Sequence, residues 1–413
     1  MGQTDSAGGW KIGFRMITIL SNEVKLQRKI SLPITAPDLN SEFQLPRMIP
    51  QLDRLRGLAI LLVLVCHAAS VFPHWAVPVA SQGWIGVDLF FVLSGFLITG
   101  ILWDSREKPG YFVSFYGRRI LRIWPAYIIL LAFAFFLLPI AKRIVGGPAL
   151  EFPSETLGLW PYLVMIQNLF SKALMASAVL NVTWSLAIEE QFYVVWPAFI
   201  RYVPWRAALP FLVASILAAP LLRIWAMHQG YPQLAIYMNP LTHGDGLLCG
   251  AVAAIWLRIR KLKRRHLLVA GVALMGVGMA IFVPICPAII TSQYCHPLVF
   301  TATALSSTGL LLVALVSENT GRTLHRRLFM NRIIAFFGYI SYSLYLYHSF
   351  IFRFAVSEKL AARLDVWHYL FLTRCLMALC GVGLSVLLAW ISRVTIEMFA
   401  LSKKHFFGYS RRA

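Results

Sequence analysis

The chain has 413 residues, 59% hydrophobic and only 13% charged, a balance that excludes a soluble globular protein with a polar surface. Its 38 Lys and Arg outnumber 17 Asp and Glu, giving a net charge of +21. On a soluble chain that excess would suggest nucleic acid, but here the bases lie between apolar blocks of about 17 to 25 residues, each able to cross a bilayer as a helix. Continuous blocks of this kind also exclude an outer-membrane barrel and a peripheral enzyme with one anchor.

Residues 1–47 are polar and irregular and read as a cytoplasmic N-terminal tail without the apolar core of a secretory signal. Met48 is an alternative start. The opening Met1-Gly2 with Ser6 formally fits a myristoylation pattern, but a polytopic chain needs no lipid anchor. Ten spans follow, at 55–73, 84–103, 123–141, 184–203, 207–226, 243–257, 267–286, 297–316, 334–354 and 367–392. The expected fold is therefore an all-α polytopic membrane protein of about ten transmembrane helices, with a membrane domain at 48–395 and a basic C-terminal tail at 396–413. With the N-terminus inside, 29 basic residues fall on inner segments. Only seven fall outside: Lys142, Arg143, Lys172, Arg223, Arg353, Lys359 and Arg363. This is the positive-inside pattern, so both termini are expected in the cytoplasm and the charge reports topology and anionic lipid, with no nucleic-acid partner.

The connection 142–183 holds the semi-apolar stretch Leu157 to Phe170, too short to span and read as a re-entrant or interfacial helix on the outer face. Asn181-Val182-Thr183 formally fits a glycosylation acceptor but abuts a span. Cys66, Cys249, Cys375 and Cys380 lie in spans as small apolar fillers, whereas Cys286 and Cys295 flank a short outer loop and are expected to pair, two free thiols being the alternative. No Cys and His spacing resembles a zinc site, so no metal is expected.

Ionisable residues inside spans are costly, about 2.5–3.5 kcal/mol each on insertion scales, and they usually face a polar interior. Arg56 and His67 are eleven residues apart, which returns them to within roughly 20° of one helix face at an axial separation of roughly 16 Å. Taken singly, Arg56 could be a snorkelling anchor and His67 a packing residue. Asp88, Glu189, Glu190, Asp245 beside His243, and His348 fall at a similar depth on other spans, and a shared polar cavity in the outer half accounts for them together. On the inner side, Arg118, Arg119 and Arg122 precede the third span. Arg119 and Arg122 share a face suited to holding phosphate, although basic residues there also serve topology.

These segments resemble the membrane-integral acyltransferase 3 family between about 50 and 395. Arg56 and His67 match its Arg/Lys-x10-His motif, Arg119 and Arg122 its RxxR motif, and Asp88 its GVDxFFxxSGFL segment. Glu189 matches the acid of WSLxxExxFY, and His348 the histidine of YSLYLxH. Thr242-His243-Gly244-Asp245-Gly246 departs from the usual RxDxLLxG, which puts a basic contact there in doubt. With nothing after the last span, the chain reads as the stand-alone form. The resemblance implies an O-acyltransferase of a bacterial inner membrane that moves an acyl group, acetyl being favoured, from cytoplasmic acyl-coenzyme A to a hydroxyl of a surface or lipid-linked carbohydrate. Arg56, Arg118, Arg119 and Arg122 would grip the coenzyme A phosphates. His67, oriented by Glu189, would be the general base, with a covalent acyl-His67 relay as the variant mechanism. Asp88, Glu190, Asp245 and His348 would be supporting or acceptor contacts. The competing class is a proton-coupled transporter, whose buried His and carboxylates would be proton relays.

Overall fold

The computed structural model describes residues 39–46, 49–73, 75–140, 157–177, 179–292, 296–316, 331–355 and 370–408. Among the described residues, ten helices of 15 residues or more follow one another: α1 Pro50–His67, α2 Ile85–Ser105, α3 Tyr111–Ala132, α4 Thr183–Tyr202, α5 Trp205–His228, α6 Asp245–Ile259, α7 Arg264–Ser292, α8 Val299–Val316, α9 Arg332–Ala355 and α10 Leu370–Ser392. Each overlaps one expected span. Two boundaries move in ways that matter for the site. α1 begins at Pro50, a residue suited to the first helical turn, and stops at His67, so this histidine ends the helix and a 3-10 turn follows at Ala69–Val71. α3 begins at Tyr111, which puts Arg118, Arg119 and Arg122 inside a helix instead of before one.

Among the described residues, six stretches are long and apolar enough to cross a membrane: Val77–Ser105, Tyr111–Ile140, Trp205–His228, Arg264–Cys286, Val299–Val316 and Leu372–Phe407. The ten long helices therefore divide into six such stretches and four others, α1, α4, α6 and α9. Those four are shorter or more polar, and the physical reason is their cargo. They carry Arg56 and His67, Glu189 and Glu190, Asp245, and His348.

α2 and α8 form the centre. The apolar window of Val77–Ser105 is 72% buried and that of Val299–Val316 67%, against 11% for Arg264–Cys286. The exposed Val269, Val272, Val277 and Val283 of α7 are then a lipid-facing surface, as an all-round apolar helix at the rim requires. α1 packs between α2 and α9, α6 lies against α2, and α10 backs α9. The α1–α9 approach depends on two glycines. A Cβ at Gly57 would strike the Ile334 carbonyl oxygen, and one at Gly338 the carbonyl of Asp53. Small residues at facing positions are how apolar helices come this close without a hydrophobic driving force.

Both expected tails are partly docked. In the N-terminal tail, the Phe43 amide donates to Leu262 O at 2.7 Å and Arg264 N to Ser41 O at 3.1 Å. Beyond α10, a π-helical turn at Arg393–Glu397 leads through Met398–Ser402 to Lys403–Phe407, which folds back on α3. Arg118 Nε donates to Phe407 O at 2.8 Å, Ser114 Oγ donates to Gly408 O at 3.2 Å, and the Phe407 ring lies over Gly117. The membrane unit thus extends past residue 395 into the segment expected as a basic tail. Leu157 to Phe170 is broken instead of one re-entrant helix: Trp160–Leu163 and the 3-10 turn Gln167–Phe170 meet around Met165, whose φ is +57°. Asn181 accepts from Ser349 Oγ at 2.8 Å and Thr183 is fully buried, so this sequon is part of the packed interior. Cys295, and with it the expected pairing to Cys286, lies outside the described residues, as does the Met1–Ser6 motif.

Candidate active site

The α1–α9 contact sets the site. Along α9, Tyr342, Tyr345 and His348 follow at three-residue intervals, so they lie near one face in ascending order. At the lower end is a cavity of about 100 Å³ whose lining includes Arg56, Arg119, Arg122, Glu189, Tyr342 and Tyr345. The arginines expected on one side of the membrane and the acid expected in its outer half therefore share one chamber.

The three arginines are held differently. Arg56 reaches Asp53 at a long 3.5 Å, with the Asp53 side chain 61% exposed. Arg119 lies over the rings of Tyr193 and Phe115 at 5.5 and 5.8 Å, an arrangement that orients a guanidinium while leaving its hydrogen-bond donors for another anion. Arg122 Nη1 meets Glu397 Oε2 at 2.7 Å, and Arg393 meets the same oxygen at 2.9 Å. Ser343 Oγ donates to the other oxygen at 2.6 Å. Two cations on one buried carboxylate leave a net positive charge beside the cavity. Arg118, bound to Phe407 O, is turned toward the C-terminal segment and is not among the cavity-lining residues.

At the upper end of the same α9 face the rings of His67 and His348 meet edge to face, with centroids 4.6 Å apart. Each has its Nδ1 against carbonyl oxygen: His67 on Val63 O at 2.9 Å, His348 on Tyr345 O at 2.8 Å and Leu344 O at 3.1 Å. A carbonyl only accepts, so Nδ1 carries the proton on both rings and each Nε2 presents a lone pair. His67 is accessible and His348 fully buried. Tyr345 is the partition between chamber and histidines. Its ring is 5.7 Å from that of His348, it lines the cavity, and its hydroxyl lies 2.6 Å from Ser185 Oγ.

Several expected partnerships are rearranged. Glu189 does not orient His67; its Oε1 accepts from Ser94 Oγ at 2.8 Å and its Oε2 from Tyr193 OH at 3.0 Å, which places it in the chamber with Arg119. Glu190 follows in α4, and among the described residues its buried Oε1 has no hydrogen-bond partner. Asp88 and Asp245 are not cavity residues. Asp88 accepts from Thr303 Oγ1 and lies 2.7 Å from His243 Nε2, while His243 Nδ1 meets Tyr237 O at 2.7 Å. Asp245 accepts from Arg223 Nη1 at 3.0 Å and from Thr301 Oγ1 at 2.5 Å. Arg223, expected among the outer basic residues, is 1% exposed within α5 and also donates to Thr242 O and Pro297 O. The basic contact that the altered motif left in doubt is thus supplied twice, by His243 to Asp88 and by Arg223 to Asp245. Both carboxylates are saturated and cement α2, α5, α6 and α8. Among the described residues no cluster of three His, Cys, Asp or Glu side chains could hold a metal.

Residues the motifs did not include are Glu397 and Arg393, while Ser343 and Tyr193 stand in the YSLYLxH and WSLxxExxFY segments without having been assigned a role. Glu397 carried a signal: an acid four residues after a base, Arg393, at the end of a long apolar helix.

Comparison with known proteins sets this geometry in a family. The acyltransferase domain of the acyltransferase 3 family matches residues 49–394. The chain belongs to that family. It is 32% identical to peptidoglycan O-acetyltransferase OatA of Listeria monocytogenes over 223 residues, 51% of this chain and 34% of that protein. Putative O-acetyltransferase SACOL0978 of Staphylococcus aureus is 26% identical over 80% of this chain and 55% of its own length. Putative peptidoglycan O-acetyltransferase YrhL of Bacillus subtilis is 32% identical over 51% and 34%, respectively. The chain thus spans between about a third and about half of the curated relatives it matches. No solved structure gives a significant match.

Proposed function

We propose that this protein is an integral-membrane O-acyltransferase that takes an acyl group, acetyl by analogy with its relatives, from acyl-coenzyme A and gives it to a hydroxyl of a cell-surface glycan. The observation that carries this reading is the position of Tyr345, with an arginine-lined chamber on one side and the His67–His348 pair on the other. Donor phosphates suit Arg119 and Arg56, which share the chamber with Glu189 but among the described residues form no ion pair with a buried carboxylate, and the surplus charge of the Arg122–Arg393–Glu397 group adds to their field. The thioester would then lie along α9, with its carbonyl toward His67 Nε2. The accessible side of His67 admits the acceptor. Relatives named for peptidoglycan acetylation make an N-acetylated hexosamine polymer the first acceptor to try.

The sidedness follows from charge. With both termini in the cytoplasm of a bacterial inner membrane, the chamber opens inward and His67 faces outward, and all ten long helices cross. Arg56, in the second turn of α1, and His67, at its last residue, then mark donor and acceptor entrances. No observation favours the transporter reading.

Purified protein in nanodiscs with acetyl-coenzyme A and a peptidoglycan fragment tests the reaction. Transfer should fall by at least about 100-fold in His67→Ala at unchanged folding, the scale of losing an acid–base group. Full activity per folded His67→Ala molecule would refute the assignment, and so would a wild-type protein that consumes no acyl-coenzyme A.

A further inference from the structure

Resting on that reading, two routes remain chemically open: direct attack of the acceptor on the thioester, which needs one base, and relay through an acylated histidine, which needs a nucleophile and a separate base. Three observations bear on the choice. First, among the described residues no carboxylate contacts His67; its polar bond is to Val63 O, and the ring against it is that of His348. With no carboxylate on either ring among the described residues, the two facing imidazoles are the groups available to divide a relay between a nucleophile with a free lone pair and a separate base. Second, the tautomer of His348 is fixed by two carbonyls on Nδ1, which leaves Nε2 unprotonated. Third, that Nε2 is buried and, among the described residues, has no hydrogen-bond partner. An orphaned buried acceptor costs on the order of 1–3 kcal/mol, and a hydroxyl donating to that nitrogen would satisfy it.

We propose that the two imidazoles divide the reaction, with His67 carrying the acyl group and His348 taking the acceptor's proton. In the first half, His67 Nε2 attacks the thioester carbonyl, the C–S bond breaks, and coenzyme A leaves as thiolate toward the arginines. His67 becomes an acylimidazolium, its Nδ1–H still bonded to Val63 O. In the second half, the acceptor hydroxyl oxygen attacks the acyl carbon and its proton passes to His348 Nε2. The C–N bond breaks and its electron pair returns to His67. His348 then releases the proton that converts the thiolate to thiol, so acyl-coenzyme A and alcohol give ester and coenzyme A. Tyr345, between His348 and the chamber, keeps the second half from bulk water on the donor side.

The experiment is rapid quench of the whole protein in nanodiscs with acetyl-coenzyme A and no glycan. Coenzyme A release is followed, and the peptide containing His67 is weighed by mass spectrometry. Wild type should release about one coenzyme A per protein in a burst and carry one acetyl group on His67. His348→Gln should still form the adduct, but discharge it to water and to an N-acetylglucosamine oligomer at least about 100-fold more slowly. His348→Phe, which keeps a ring without a lone pair, should behave alike and serves if Gln disturbs folding. A wild type that acetylates the oligomer with no burst and no adduct would overturn the proposal while leaving the acyltransferase reading intact. Loss of the burst together with discharge in folded His348 variants, or discharge at the wild-type rate, would also overturn it. Absence of any acetyl transfer would instead sink the underlying reading.

Discussion

Glu397 lies 2.7 Å from Arg122, though 275 residues separate them in the chain. The contact closes the helical bundle on itself, because Glu397 belongs to the turn after α10 and Arg122 to α3. It also ties the C-terminal segment to an arginine that lines the chamber. Glu397 is 1% exposed and holds Arg393 as well. Removing it strands two partly buried cations, a change that typically costs about 3–5 kcal/mol for a buried pair. Glu397→Ala should therefore lower the melting temperature markedly, and folded protein should show a raised KM for acyl-coenzyme A. A variant with wild-type melting and wild-type donor KM would show that this contact neither closes the bundle nor shapes the chamber.

Arg119 offers the cleanest test of donor binding, because it is oriented by the rings of Tyr193 and Phe115 and holds no ion pair closer than 4 Å among the described residues. Arg119→Ala should weaken acyl-coenzyme A binding by about 10-fold or more, the scale of one charge-assisted contact. It should also flatten the dependence of affinity on ionic strength. Equilibrium binding over a salt series measures both, and unchanged affinity would return Arg119 to a role in topology alone.

The Arg223–Asp245 pair makes the opposite prediction. Both side chains are essentially sealed, at 1% and 0% exposure, and neither lines the chamber. Arg223→Met should destabilise by about 3–5 kcal/mol through the carboxylate it strands, and Arg223→Met with Asp245→Leu should recover much of that loss. Activity per folded molecule should change little in the double variant. A selective loss of turnover in well-folded protein would mean that Asp245 meets the acceptor after all.

Much of this was legible in the sequence because bilayer physics writes in long apolar runs: all ten long helices fall where those runs lie, and Arg56 and His67 occupy one helix as their spacing requires. What the runs could not reveal was who partners whom. Glu189 is held by Ser94 and Tyr193, and His67 ends α1 on Val63 O, pairings that hydropathy does not see. Arg223 read as an outer charge because it stands near the end of an apolar run, and only the packing of α5 on α6 turns it inward to Asp245. Asp88 looked like a site residue for the same reason that makes it conspicuous, its cost in a membrane, but His243 and Thr303 had already met that cost.

The central claim is transfer across the α1 axis, from a donor gripped at the Arg56 end to an acceptor met at the His67 end. The decisive measurement uses sealed inside-out vesicles with radiolabelled acetyl-coenzyme A outside and a membrane-impermeant N-acetylglucosamine oligomer trapped in the lumen. Label should appear on the lumenal oligomer, and His67→Ala should abolish it. Label appearing only when oligomer and donor share the outer, cytoplasmic face of these vesicles would contradict that claim.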